Sequence, residues 1–214
     1  KRRSYSKDLF LRGVSSMNPT GLILLFFVIL VFMTPFIRKS LKNRKQYWFA
    51  HLLNTKSYEE MEKGLNAFSS KALFPRYELE CYRLQMYLVQ NNSKKVDEQY
   101  QVTIESAVTK KQKIEIYTNA FEHYVMLADK SKSLELKNKL KEFNDESLNA
   151  RCQMLYDIFV NKKSKYIDQL EKNFDKLQDS EKMLSAYLLS VQYTNKGDTK
   201  KADYYSNLSK DFFE

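Results

Sequence analysis

Glycine and proline are scarce in this 214-residue chain, at four and three residues. An all-β fold needs many tight turns, so the scarcity argues against one, and against collagen-like or proline-rich linker classes. Cysteine and histidine are scarcer still. Cys81 and Cys152 cannot make a disulfide framework. His51 and His123 stand alone, with no Cys or carboxylate at i+3 or i+4, so no metal-ligand spacing exists. No Walker motif, G-x-G-x-x-G fingerprint or G-x-S-x-G elbow occurs, and the reading is of a protein that is not an enzyme and holds no cofactor or metal. Sustained period-two alternation is also missing, which leaves no segment to assign as a strand. What remains is 43% hydrophobic, 29% charged and 14% aromatic, the balance of a packed all-α protein.

The net charge of +10 is unevenly spread. Residues 1–56 carry eleven Lys/Arg against the single acid Asp8, while residues 57–214 hold twenty-five of each sign. A nucleic-acid binder needs its basic groups on the folded body, and this body is neutral. The excess therefore belongs to the N-terminal segment, and nucleic acid is not an expected partner.

Residues 21–37 (GLILLFFVILVFMTPFI) contain no charge and one hydroxyl, Thr34. At 1.5 Å per residue the run covers roughly 26 Å, close to a hydrocarbon core of about 30 Å. A signal-peptide core would be shorter and end in small residues, whereas Phe36, Ile37, Arg38 and Lys39 close this one. The expected organisation is a basic tail (1–20), a single transmembrane helix (21–37) and a helical domain (38–214). Arg38, Lys39, Lys42, Arg44 and Lys45 form a basic collar directly after the run, and the nearest basic residue before it is Arg12. That proximity places the domain on the cytoplasmic face of the cell membrane.

After the run, helical patterns alternate with polar breaks at 54–57, 91–93, 129–133, 161–164 and 195–198, and further breaks fall at 69–75, 109–111, 144–145 and 178–180. The apolar residue four to five positions after the breaks of the first set is taken as Met61, Val96, Leu136 (or Leu134), Ile167 and Ala202, at intervals of 35, 40 (or 38), 31 (or 33) and 35. A longer helix followed by a shorter one, recurring near every 35 residues, predicts an α-hairpin solenoid of four to five pairs. The last pair, Ser190-x-x-Tyr193-x-x-x-Gly197-Asp198-x-x-x-Ala202 with Ser209 and Phe212, resembles a tetratricopeptide repeat. Tyr87…Asn91…Val96 and Ile158…Lys162…Ile167 repeat its spacing with larger residues, and Trp48, Leu52, Tyr58, Met61 and Leu65 fit a first copy.

That resemblance implies a concave face built from the first helix of each pair. Tyr82, Gln85, Val125, Gln153, Tyr156, Tyr187, Val191 and Asn195 are the residues expected to line it, a groove suited to a peptide or helix of another protein. The aromatic load (fifteen Tyr, fourteen Phe) is assigned mostly to core packing, including Tyr47, Phe49, Tyr87, Tyr100, Tyr124, Phe143, Phe174 and Tyr193. Both cysteines sit on apolar helical faces and are expected to be free and inert. The expected function is a membrane-anchored scaffold or adaptor that binds a partner protein. The alternative is an accessory or regulatory subunit, or a C-terminal module, of a multi-span membrane enzyme or transporter; it is motivated by a chain that opens on Lys1 and not on Met.

Overall fold

The computed structural model describes the backbone of residues 19–211 and the side chains of residues 23, 27 and 30–210. Eleven helices and no strand occur among the described residues. They are α1 (Pro19–Asn54), α2 (Tyr58–Asn66), α3 (Phe68–Leu73), α4 (Arg76–Val89), α5 (Ser93–Ser106), α6 (Lys110–Met126), α7 (Lys130–Lys141), α8 (Glu146–Phe159), α9 (Ile167–Phe174), α10 (Asp179–Lys196) and α11 (Thr199–Asp211). No helix among the described residues is long and apolar enough to cross a membrane. The run 21–37 lies in α1, and part of its side chains fall outside the described residues, as do residues 1–18 of the expected tail and Phe212.

Three of the polar breaks start helices by side-chain caps of one pattern. Thr109, Asp129 and Asp145 accept the backbone N–H of Gln112 (3.2 Å), Lys132 (3.0 Å) and Leu148 (3.0 Å), satisfying first-turn donors of α6, α7 and α8. The Thr109 N–H donates in turn to Gln112 Oε1 (3.1 Å), completing a capping box. The stretch 69–75 behaves otherwise: it carries most of the short helix α3, tied down where Ser70 donates to the Gly64 carbonyl (2.5 Å).

One backbone device ends the longer helices. Lys56, Asn91, Ala128, Lys162 and Gly197 have left-handed φ values of 56°, 51°, 54°, 53° and 83°. They fall in the turns α1–α2, α4–α5, α6–α7, α8–α9 and α10–α11, at intervals of 35, 37, 34 and 35. In four turns the next N–H reaches back five residues to a carbonyl: Ser57 to Leu52 (2.9 Å), Asn92 to Tyr87 (3.2 Å), Asp129 to Tyr124 (2.9 Å) and Asp198 to Tyr193 (3.0 Å). This bond closes a Schellman motif and uses up orphan helix carbonyls. The turn at Lys162 differs, with the Lys163 N–H on the Asp157 carbonyl (2.9 Å).

This register corrects the repeat spacing. Counting five residues from each of these five positions gives Met61, Val96, Ser133, Ile167 and Ala202, all buried, whereas a sixth left-handed residue, Asn144 (φ 55°) between α7 and α8, stands outside this spacing. Neither Leu136 nor Leu134 holds the third position, although Leu136 is buried. Ser133 fills it because a serine whose hydroxyl donates back to the Asp129 carbonyl packs as a small side chain.

The chain divides into two compact units, Lys1–Gln99 and Tyr100–Glu214, at a point inside α5. In the first, α1 packs on α2, α3 and α4 around Phe49, Leu52, Met61, Leu65, Phe74, Leu79 and Met86. In the second, α6 packs on α7 and α8, α7 on α8, α8 and α9 on α10, and α10 on α11. Ile167, Leu189, Tyr193 and Ala202 share one cluster there, so the Tyr-Gly-Asp-Ala pattern brings its aromatic and its alanine together. Phe49, Tyr100, Tyr124 and Tyr193 are core residues as expected; Tyr47 is not, at 78% exposed, because it stands about 200° around α1 from Phe49.

Candidate functional site

An apolar hollow of about 280 Å³ lies in the second unit. α6 supplies Glu122, Val125 and Met126; α8 supplies Arg151, Met154, Leu155 and Phe159; α9 adds Leu170; α10 adds Leu184, Ser185, Tyr187 and Leu188. Val125, Leu155, Phe159 and Leu188 are buried and form its floor, whereas Met126 (59% exposed), Leu184 (46%) and Tyr187 (37%) stand at its rim. The Phe159 and Tyr187 rings stack at a tilt, 5.9 Å apart. One ion pair crosses the rim between α6 and α8, where Arg151 Nη2 donates to Glu122 Oε1 at 2.7 Å. Both partners are accessible, so the pair contributes little to stability and is free to re-pair with an incoming group.

Of the eight residues expected to line a groove, Val125 and Tyr187 meet in this hollow. Tyr156 is buried under the Lys137 ammonium (4.4 Å to the ring centroid), and Gln153 accepts a hydrogen bond from the same ammonium (2.9 Å). Asn195 donates to the Ile158 (2.9 Å) and Lys163 (3.3 Å) carbonyls, a packing contact between α10 and the end of α8. Val191 is half-buried. Tyr82 and Gln85 belong to the first unit, where Tyr82 packs on Phe49 (5.1 Å) and Phe74 (6.0 Å) while Gln85 is exposed. Met126, Met154, Leu184 and the Arg151–Glu122 pair went unread. The available signal was the triplet Val125-Met126-Leu127, an apolar run that outlasts the buried face of α6 at its C-terminal end.

The basic collar is partly turned inward. Arg38 donates to the Ala72 carbonyl (3.2 Å), Lys42 pairs with Glu78 (2.7 Å), and Lys45 lies over the Trp48 ring (4.0 Å). Lys39 and Arg44 are exposed.

Other charged clusters are structural in their geometry. Asp157, 1% exposed, accepts from Asn161 Nδ2 (2.8 Å), Lys163 Nζ (3.0 Å) and the Tyr166 hydroxyl (3.0 Å), and pairs with Lys165 (2.8 Å). Burial alone would raise its pKa, but hydrogen bonds from Lys165, Asn161 and Lys163 outweigh it and hold the carboxyl far below the usual range. Glu171 gathers the hydroxyls of Tyr193 (2.5 Å) and Tyr205 (3.0 Å), whose rings stack 5.7 Å apart. Arg83 joins Glu62 (3.0 Å), Glu80 (2.5 Å) and Asn66 (3.0 Å) across α2 and α4. A larger depression of about 660 Å³ in the first unit opens widely to solvent among Glu59, Glu62, Lys63 and Lys95, where Glu62 is held by Arg83 and Lys95 lies over the Tyr87 ring.

Cys152 is buried, and desolvation pushes its thiol up to about 11, which removes thiolate chemistry at neutral pH. Cys81 and Cys152 are not joined in a disulfide. His123 packs against Tyr100 (5.5 Å) and Tyr124 (5.1 Å). No group of three or more His, Cys, Asp or Glu that would hold a metal ion occurs among the described residues. Compared with protein-family models, curated proteins and solved structures, the chain matches none.

Proposed function

We propose that this protein is a membrane-anchored adaptor whose helix pairs, tetratricopeptide-like in pattern, hold a segment of another protein at the cytoplasmic membrane surface. The hollow on α6, α8, α9 and α10 carries the reading. Its volume of about 280 Å³ sits just under the roughly 300–1,000 Å³ of small-molecule sites. Its charged groups, Glu122 and Arg151, are accessible, and Ser185 is the one buried polar residue among its apolar lining, so it suits a few apolar side chains of an amphipathic helix better than a cofactor. The accessible Arg151–Glu122 pair offers either sign to charged groups flanking that apolar face.

The anchor is residues 21–37. Ile23, Phe27, Val31, Phe32 and Phe36, all in the uncharged run, are each more than half exposed on α1, an apolar surface of the kind that lipid covers. The Thr34 hydroxyl donates to the Leu30 carbonyl (2.7 Å), which satisfies it without water. A photo-reactive amino acid placed at Leu184 in native membranes tests the adaptor role. A discrete adduct that is missing when the probe stands at exposed Lys200 supports it, and identical patterns at the two positions contradict it.

A further inference from the structure

Contacts in the first unit set the height of each element along α1. The Ser57 N–H bonds to the Leu52 carbonyl (2.9 Å), Gly64 faces the Trp48 ring, and Arg38 donates to the Ala72 carbonyl (3.2 Å). α2 and α3 therefore run back along α1 toward the apolar segment. α4 then runs away from it, since Glu78 pairs with Lys42 and Tyr82 packs on Phe49. The corner joining α3 to α4 is thus level with Arg38, the first residue after the run.

That corner is basic outside. Lys71, Ala72, Pro75 and Arg76 are exposed, as are Arg38 and Lys39. The nearby acid, Glu78, is neutralised by Lys42, and Glu59 and Glu60 sit in the first turn of α2, at the opposite end of the α1 contact. We infer that the α3–α4 corner rests on anionic lipid headgroups, with Lys71 and Arg76 joining Arg38 and Lys39 on the phosphates. Charge complementarity and the continuity of α1 with the apolar run name the occupant. The surface rests on the anchor reading above, and it adds a second contact, which fixes the tilt of the first unit where a single helix would leave it free to swing.

The test uses the full chain in lipid nanodiscs of phosphatidylcholine, alone or with about a quarter phosphatidylglycerol, and reads amine acetylation rates by mass spectrometry. Lys71 is the reporter. Lys56 is the reference, exposed in the α1–α2 turn and roughly 27 Å farther along the α1 axis than Arg38 at 1.5 Å per residue, beyond the screening length. The anionic discs are expected to slow Lys71 at least about threefold with Lys56 unchanged, and about 0.5 M salt to abolish the difference. Arg76→Glu, an exposed change, is expected to halve the effect. Equal Lys71 rates in both lipids, or equal slowing of Lys56, overturn the headgroup contact while the anchor stands. A chain that does not co-purify with discs of either kind overturns both.

Discussion

Asp157 is ionised inside the second unit because four donors from the α8–α9 turn surround it. Its folded pKa lies below its unfolded value of about 3.9. The stability it contributes is therefore fully present above pH 4 and drains away as pH falls below that. Asp157→Asn is expected to lower stability at pH 7 by about 1–3 kcal/mol and to flatten the acid limb of a denaturation series; an unchanged acid limb contradicts this. Lys163 and Lys165 are half exposed, so removing either alone should cost under about 1 kcal/mol. At Gly64 the constraint is steric. A methyl there would come within 2.4 Å of the Trp48 ring, so Gly64→Ala is expected to cost about 1–3 kcal/mol despite its better helix propensity, measurable by urea unfolding.

At the scale of the element, a left-handed residue recurs in the turns between helices. Gly occupies that position once, and Lys, Asn and Ala hold it elsewhere against the steric preference of L-residues. Ala128→Gly is expected to raise stability by about 0.5–1 kcal/mol, and Gly197→Ala to lower it by about 1 kcal/mol, with no clash involved since nothing lies within 4 Å. Thermal midpoints moving in the same direction for both would contradict the account. These turns were legible because Asn91, Lys162 and Gly197 share a spacing with the residues around them. Ser133 was not, because a reading by hydropathy passes over a serine that packs as a small residue. α3 was likewise read as a break: polar Ser69, Ser70 and Lys71 looked like a linker, yet Ser70 spends its hydroxyl on the Gly64 carbonyl.

Across the whole molecule, charge and apolar distribution were readable far more easily than the site. The helical class follows from local periodicity, whereas the hollow needs side chains from four helices over some sixty-five residues, which no local pattern reports. Tyr187 and Val125, which the tetratricopeptide resemblance set on a concave face, line the hollow; Leu184 and Met126 are ordinary apolar positions until the helices are placed. The central claim is that a partner is kept at the membrane by this hollow. Its most direct measurement is membrane fractionation of the partner cross-linked at Leu184, in cells carrying the full chain or its Leu184→Asp variant. The account predicts that the variant chain stays in the membrane fraction while the partner moves to the soluble fraction; a partner whose distribution does not change contradicts it.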